Sequence, residues 1–467
     1  METIDTVSNT VTSSNLIADA VEAANGVIWG PIMLAFLIGA GLLFSISLKF
    51  VQFRKFGYMM KNTLLGIFSK QQHESDKSGV SPFQAVATAM AGTIGTGSIA
   101  GLATAIVSGG PGAIFWMWVS ALLGMVTKFA EIVLSLKFRE KNAKGEWVGG
   151  PMYYIKNGLG IKWLAVLFAI FGMCACLGTG NATQSNSIAV ALESTMNVPS
   201  LVTGIVLTVI AASVILGGMR RIASVNEKMV PFMAVFFVIC SVVALVINYK
   251  EIPDAFALIF REAFNFRSAA GGVAGYGVLT AMHYGCSRGV FSNEAGLGSA
   301  PIAHASSSTK DPVKQGLWGM FEVFFTTIII CTLSGLVVLT AGHWNTGEFD
   351  GAALSIASFN SIMPGVGGIG VTLATVFFAL STILGWAYYG EVCVGFLFGK
   401  HPKAVMIYRC IYVAVVFIGT ISELDLIWSI SEMMNGLMII PNLIGIIGLF
   451  KVVKTAVAEH FDPLKKQ

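Results

Sequence analysis

Charged residues come in bursts along this chain, and between the bursts lie long runs that are almost wholly apolar. From Ser81 to Thr127 there is no Asp, Glu, Lys, Arg or His. A helix needs about 20 apolar residues to cross the hydrocarbon core of a bilayer. With Gly/Pro clusters and charge runs as boundaries, the pattern predicts eleven spans, at 28–50, 82–108, 112–138, 162–190, 200–217, 229–249, 270–303, 315–341, 368–398, 404–421 and 425–450. The stretch Phe53–Phe68 reads as an amphipathic helix lying on the membrane interface. The first 25 residues are polar and slightly acidic without a basic start, so they read as a retained extracytoplasmic tail rather than a cleaved signal.

Composition agrees with the pattern. Of 467 residues, 55% are hydrophobic and 12% charged, too little polar surface for a soluble chain of this length. The net charge of +4 could suggest an acidic partner. Its distribution points elsewhere: with the N-terminus outside, 24 Lys and Arg fall in loops assigned to the cytoplasm and three (Lys250, Arg261, Arg267) in loops assigned outside. That bias follows the positive-inside rule and leaves no nucleic-acid partner to invoke. The seven cysteines lie mostly within apolar segments and show neither disulfide nor metal-binding spacing.

Setting the first span aside leaves ten, which divide into five in 82–249 and five in 270–450. An odd number of spans per half makes the two halves inverted with respect to each other. The expected organisation is a tail (1–27), an extra helix (28–50), an interfacial segment (51–80), two inverted repeats (82–249 and 270–450) and a cytoplasmic tail (451–467). Each repeat opens on an unusual segment. The first is interrupted at Gly92-Thr-Ile-Gly-Thr-Gly-Ser-Ile-Ala-Gly101, and the second, at 270–303, is overlong and glycine-rich. Backbone freed from a helix inside lipid must be satisfied by protein or must line a polar cavity. Paired interruptions of this kind mark the midplane site of a secondary transporter. The midpoint of 270–303 falls at Ser287, so the mirror break is expected within Gly285-Cys-Ser-Arg-Gly289, and the glycines of Asn293–Pro301 are expected to shape the exit.

At the first interruption, Thr96, Gly97 and Ser98 combine hydroxyls with backbone able to unwind, and Gly92 and Gly95 offer carbonyls to a hard cation. A packing role competes, because Gly97-x-x-x-Gly101 is a small-residue helix interface. Gly95–Ala100 also matches a dinucleotide fingerprint, but no strand precedes it. Span 4 carries Asn181, Thr183, Gln184 and Asn186, with Phe168 and Phe171 earlier; such groups face protein or a cavity, and helix-to-helix bonding is the plainer account of them. In span 9, Thr382 and Trp386 are four apart and share a face.

Gly109-Gly-Pro-Gly-Ala-Ile-Phe-Trp-Met-Trp-Val-Ser-Ala-Leu-Leu-Gly124 is a tight turn followed by an aromatic helix start. The string resembles the diagnostic motif of the alanine or glycine:cation symporter family, within the amino acid-polyamine-organocation superfamily. The likeness continues in Met125–Glu131, Gly149–Tyr154, Arg288–Pro301 and Gly385–Glu391. It implies Na⁺-driven uptake of alanine or glycine on an all-α, leucine-transporter-like fold with two discontinuous helices, working as a monomer in the plasma membrane, without enzymatic activity or a cofactor. Together with the two breaks it gives an expected substrate shell of Thr96, Gly97, Ser98, Gln184, Phe171, Gly285, Ser287, Thr382 and Trp386, and an expected Na⁺ shell of Gly92, Gly95, Ser381 and Thr382, with Gln184 and the Ser381–Thr382 hydroxyls taken from the resemblance. Sodium is hard and takes oxygen ligands. Trp386 would wall a pocket sized for a methyl group or a hydrogen.

Ionisable residues inside spans default to functional roles. Lys128 and Glu131, three apart, are expected to pair along one helix, and Arg288 to pair with Glu294 or Glu131 as a gate. Glu322, Glu391 and His283 carry no assignment, and a proton-coupled carrier of another small amino acid would need one of them at the midplane. A membrane-embedded hydrolase would need H-E-x-x-H, which the chain lacks, or a G-x-S-x-G turn, whose one match, Gly285–Gly289, falls inside a predicted span with no strand before it, and a channel lacks a repeated pore motif or charged ring.

Overall fold

The computed structural model describes residues 18–68, 79–264, 277–399, 401–422 and 425–462, and apart from one two-stranded hairpin its regular structure is helical. In chain order the main helices are α1 (Pro31–Ser47), α2 (Pro82–Thr93), α3 (Ala100–Gly109), α4 (Ala113–Lys137), α5 (Lys162–Met196), α6 (Ser200–Ile215), α7 (Met219–Ile247) and α8 (Ile252–Ala263). They continue as α9 (Val278–Asn293), α10 (Ala300–Ala305), α11 (Pro312–Ala341), α12 (Gly351–Ile362), α13 (Gly367–Leu397), α14 (Pro402–Ile421), α15 (Asp425–Gly448) and α16 (Phe450–Phe461). Strands β1 (Glu140–Lys141) and β2 (Trp147–Val148) form the hairpin, between α4 and α5. The interfacial stretch is helical at Val51–Arg54 and Phe56–Asn62, and Lys55 lies over the Phe461 ring of α16. Among the described residues, eight helices are long and apolar enough to span a bilayer.

Two helices that begin the halves of the chain are broken, and they run antiparallel. Val80, just ahead of α2, exchanges backbone hydrogen bonds with Ser306 and Ser308, just past α10. At the opposite end, Gly109 of α3 lies against Thr280 and Tyr284 of α9. The first break has a firm start: Ser81 and Gln84 form a reciprocal capping box with Pro82 at the first turn. It unwinds after Thr93, where Ile94 and Gly95 leave helical geometry, and re-forms at Ala100 after one tight turn.

The second break does not fall at Ser287. α9 runs unbroken through Gly285–Gly289 to Asn293, and the chain then turns through Glu294, Gly296 and Gly298, all in the left-handed region, before α10. The midpoint was displaced because the described helix starts at Val278 rather than near 270; residues 265–276 lie outside the described residues. Gly285 serves packing instead, since a Cβ there would lie 2.3 Å from the Ala113 carbonyl. Two helices that are too short to span, α8 and α12, were not foreseen. α8 buries Ala255, Ile259 and Ala263 and seats on the turn before α4, where Trp116 donates to the Ala263 carbonyl. At the end of the bundle that carries the Lys- and Arg-rich loops, Asp311 caps α11 and meets His460 of α16 at 3.1 Å. Burial pushes the Asp311 carboxyl up, but His460 and the Lys314 amide outweigh it and hold it below the usual carboxylate range.

Candidate functional site

α13 passes beside the first break, and its hydroxyls meet the unwound backbone. Ser381 and Thr382 both reach the Ala91 carbonyl, at 3.2 and 3.0 Å, with the Phe378 carbonyl as each one's second acceptor. A Cβ on Gly95 would lie 2.6 Å from Thr382 Oγ1, so only glycine lets the chain pass there. Gly92, Gly95, Ser381 and Thr382 are thus brought together. The Ala91 carbonyl joins them and was missed, because an alanine at the end of a helix carries no signal in sequence. The Gly92 carbonyl is taken by Trp386 Nε1 at 3.3 Å. Hydroxyl and carbonyl oxygens around backbone with no room for a side chain are a donor set that suits Na⁺.

Next to this cluster, Gln184 bridges two irregular segments. Its Oε1 accepts from the Thr96 amide at 3.4 Å and the Thr96 hydroxyl at 3.1 Å, while its Nε2 donates to the Thr179 carbonyl at 3.1 Å. Thr179 belongs to a wide π turn, Gly178–Ala182, inside α5. In that turn a Cβ on Gly180 would lie 2.4 Å from Trp386 Cβ. Trp386, 2% exposed, is therefore pressed between α5 and the first break, with Tyr389 against its ring at 5.5 Å between centroids. Its indole N–H also reaches Glu294 Oε1 at 3.0 Å, so this one side chain touches both breaks. Gly97 lies against Phe291, and Ser98 bonds Ser292 at 3.0 Å, which joins the breaks a second time.

Three expected substrate residues stand apart from this group. Phe171 precedes Gln184 by 13 residues on α5, about 20 Å of helical rise, too far for both to touch one small ligand. Gly285 packs on α4, and Ser287 donates within its own helix to the Tyr284 carbonyl at 3.4 Å. Both lie roughly 9–12 Å of rise before the end of α9.

The buried charges pair differently from expectation. Lys128 meets Glu322 of α11 at 2.9 Å, both fully buried, and not Glu131. Its ammonium also donates to the Asn293 carbonyl (2.8 Å) and reaches Thr93 Oγ1 (3.3 Å), so it sits at the C-terminal ends of both α2 and α9, where helix dipoles favour a cation. Glu322 further accepts from Thr93 and lies 3.3 Å from His304, whose other ring nitrogen meets Gln315 at 2.9 Å. Glu131 accepts from the Gly296 amide at 3.0 Å and from Asn442. Glu294 accepts from Ser299 at 2.6 Å and from Trp386. Arg288 pairs with Glu432 of α15 at 2.9 Å rather than with Glu294 or Glu131. Buried charges settle where hydrogen bonds complete their shells, and partners three apart on one helix offered fewer than the loop at 294–299. Glu322 had been singled out without a partner, while His304 and Asn442 were missed; a lone Glu in an apolar run was a usable signal for a partner to Lys128.

A cavity of about 600 Å³ opens at the basic end, between the β1–β2 hairpin, α5, α7, α13 and α14. Tyr388, two residues past Trp386, lines its inner part.

A sequence model described as the sodium:alanine symporter family matches residues 14–467. The sodium/alanine symporter AgcS of Methanococcus maripaludis is 46% identical over 96% of this chain and 97% of its own. The probable sodium/glutamine symporter GlnT of Bacillus subtilis is 36% identical over 94% and 90%. A solved structure of MhsT in complex with L-phenylalanine superposes with a TM-score of 0.57 at 13% identity, covering 83% of this chain and 99% of that one. The architecture is the leucine-transporter type.

Proposed function

The chain belongs to the sodium:alanine symporter family, a family of membrane transporters, and on that premise we propose that it imports alanine or glycine with Na⁺ by alternating access. The observation that carries the reading is the close approach of Thr382 Oγ1 to the unwound backbone at Gly95, with Ser381 and the Ala91 carbonyl alongside. Na⁺ would take these oxygens. The substrate carboxylate would lie by the unwound backbone of Thr96–Ser98, just ahead of α3, and Gln184, which accepts from Thr96, would orient it. Trp386, pinned by Gly180 behind it, limits the side chain to something small. The name of GlnT makes pocket size a property to measure rather than assume.

In this reading the basic end faces the cytoplasm, by the 24 to 3 loop bias, and the 600 Å³ cavity is on the release side. The protein acts as a monomer in the cell membrane. One Na⁺ entering down about 100 mV contributes roughly 2.3 kcal/mol, enough for roughly 50-fold accumulation. A second reading, coupling to H⁺, rests on the Lys128–Glu322–His304 cluster between the broken helices. Radiolabelled alanine uptake into proteoliposomes, with Na⁺, K⁺ and pH gradients imposed in turn, separates them. Uptake driven by the Na⁺ gradient alone is expected; uptake driven only by the pH gradient would favour the second reading.

A further inference from the structure

The cavity at the basic end has two unlike walls. Six Lys and Arg side chains line it against three carboxylates, an excess of three positive charges. Each carboxylate has a cation beside it: Glu140 meets Lys156 at 3.1 Å, Glu391 meets Arg409 at 2.6 Å and Glu146 lies 3.9 Å from Arg220. Lys144 and Lys162 bring charge beyond these pairs. Much of the remaining lining is apolar, and it continues out of the cavity. Val166 (40% exposed) on α5 and Met406 (46% exposed) on α14 both line it. Each sits on an outward apolar face of its helix, with Trp163, Leu167 and Ile170 beside Val166, and Ile407 and Ile411 beside Met406. In a membrane protein such faces contact acyl chains. The cavity therefore opens sideways between α5 and α14 toward lipid while its charged part lies level with the loops.

We propose that this cavity is a binding site for an anionic phospholipid, its phosphate-bearing headgroup held by Lys144 and Lys162 and its acyl chain laid along Val166 and Met406. A basic pocket between spans with an apolar mouth recognises that combination of charge and chain. A free phosphate anion would use the lysines alone. The inference needs no part of the transport reading, since headgroup and chain contacts fall on Lys144, Lys162, Val166 and Met406 rather than on the breaks, although the cavity is the one placed on the release side.

The test measures lipid binding to the purified full-length protein by native mass spectrometry and thermal shift, with phosphatidylglycerol, phosphatidylcholine and inorganic phosphate as the probes. Phosphatidylglycerol is expected to be retained in preference to phosphatidylcholine. In the K144Q/K162Q variant its affinity should fall by about thirtyfold, the loss expected of two interfacial cations beside an anionic headgroup. Val166→Trp with Met406→Trp, which fills the mouth, should weaken phosphatidylglycerol and leave any response to phosphate unchanged. Equal retention of the two lipids, an unaltered affinity in K144Q/K162Q, or competition by inorganic phosphate as effective as by phosphatidylglycerol would each overturn the assignment. The lysines are exposed loop and helix-start residues, so unfolding of the variant is not expected, and the thermal midpoint without lipid reports it directly.

Discussion

The two helix breaks occupy matching places in the two halves and share the Lys128–Glu322 pair, which reaches Thr93 ahead of the first and, through Lys128, Asn293 ahead of the second, yet the turns themselves are held by different chemistry. Around 94–98 the partners are neutral: hydroxyls of Ser381 and Thr382, the Gln184 amide, and backbone carbonyls of residues 91 and 92. Around 294–299 the partners are charged: Glu294 sits in the turn, Glu131 holds the Gly296 amide, and Lys128 holds the Asn293 carbonyl. A cluster of neutral oxygens presents lone pairs with no cation of its own, so its satisfaction depends on an arriving ion. A break already supplied with its own cation and carboxylates does not. In the proposed reading the first break would take the ligand, and the second would hold the bundle in register.

Removing the resident cation should show the largest effect. Lys128→Met leaves Glu322 buried without its partner, and a loss of about 3–5 kcal/mol in stability is expected. Thermal unfolding of Lys128→Met beside a Lys128→Met/Glu322→Met double variant sharpens the point, because the double variant should recover much of that loss. If the single variant unfolds like wild type, the second break is not held by charge.

An intermediate effect is expected at the neutral break. Gly95→Ala drives a methyl toward Thr382 Oγ1 and should cost about 1–3 kcal/mol of packing strain. Its signature is loss of alanine uptake well before loss of the fold, measured as uptake against the amount of correctly folded carrier. Equal loss of both would mean that Gly95 serves packing alone.

An effect of similar size is expected at the side chain shared by both breaks. Trp386→Phe keeps most of the bulk but removes the N–H that reaches Gly92 and Glu294, at about 1.5–3 kcal/mol for a bond to a charged acceptor. Alanine uptake should fall while the set of competing amino acids stays the same. Trp386→Ala should instead admit larger competitors. Identical competition profiles in both variants would remove Trp386 from the pocket wall.

How much of this was readable beforehand divides along the same line. The first break announced itself as four glycines and three hydroxyls in a long run without charge, and Ser381–Thr382 followed from family likeness. The second was misplaced because Gly285 and Gly289, which face α4, look in sequence like the glycines that do unwind the chain. The left-handed turn begins at Glu294 (φ 56°), a residue type that carries no such signal. Its conformation is held by Ser299 and Trp386, partners that only the fold supplies. Long-range pairing failed for a related reason. Spacing along one helix suggested Glu131 for Lys128, whereas packing of α11 on α4 delivered Glu322 from far along the chain.

The Na⁺ dependence of alanine uptake in a Ser381→Ala/Thr382→Ala variant reconstituted in proteoliposomes tests the ion site most directly. If the oxygens beside the first break hold the coupling ion, the Na⁺ concentration for half-maximal uptake should rise on the order of tenfold or more, as expected for loss of two ligands of modest strength. A half-maximal Na⁺ concentration equal to that of wild type would contradict it.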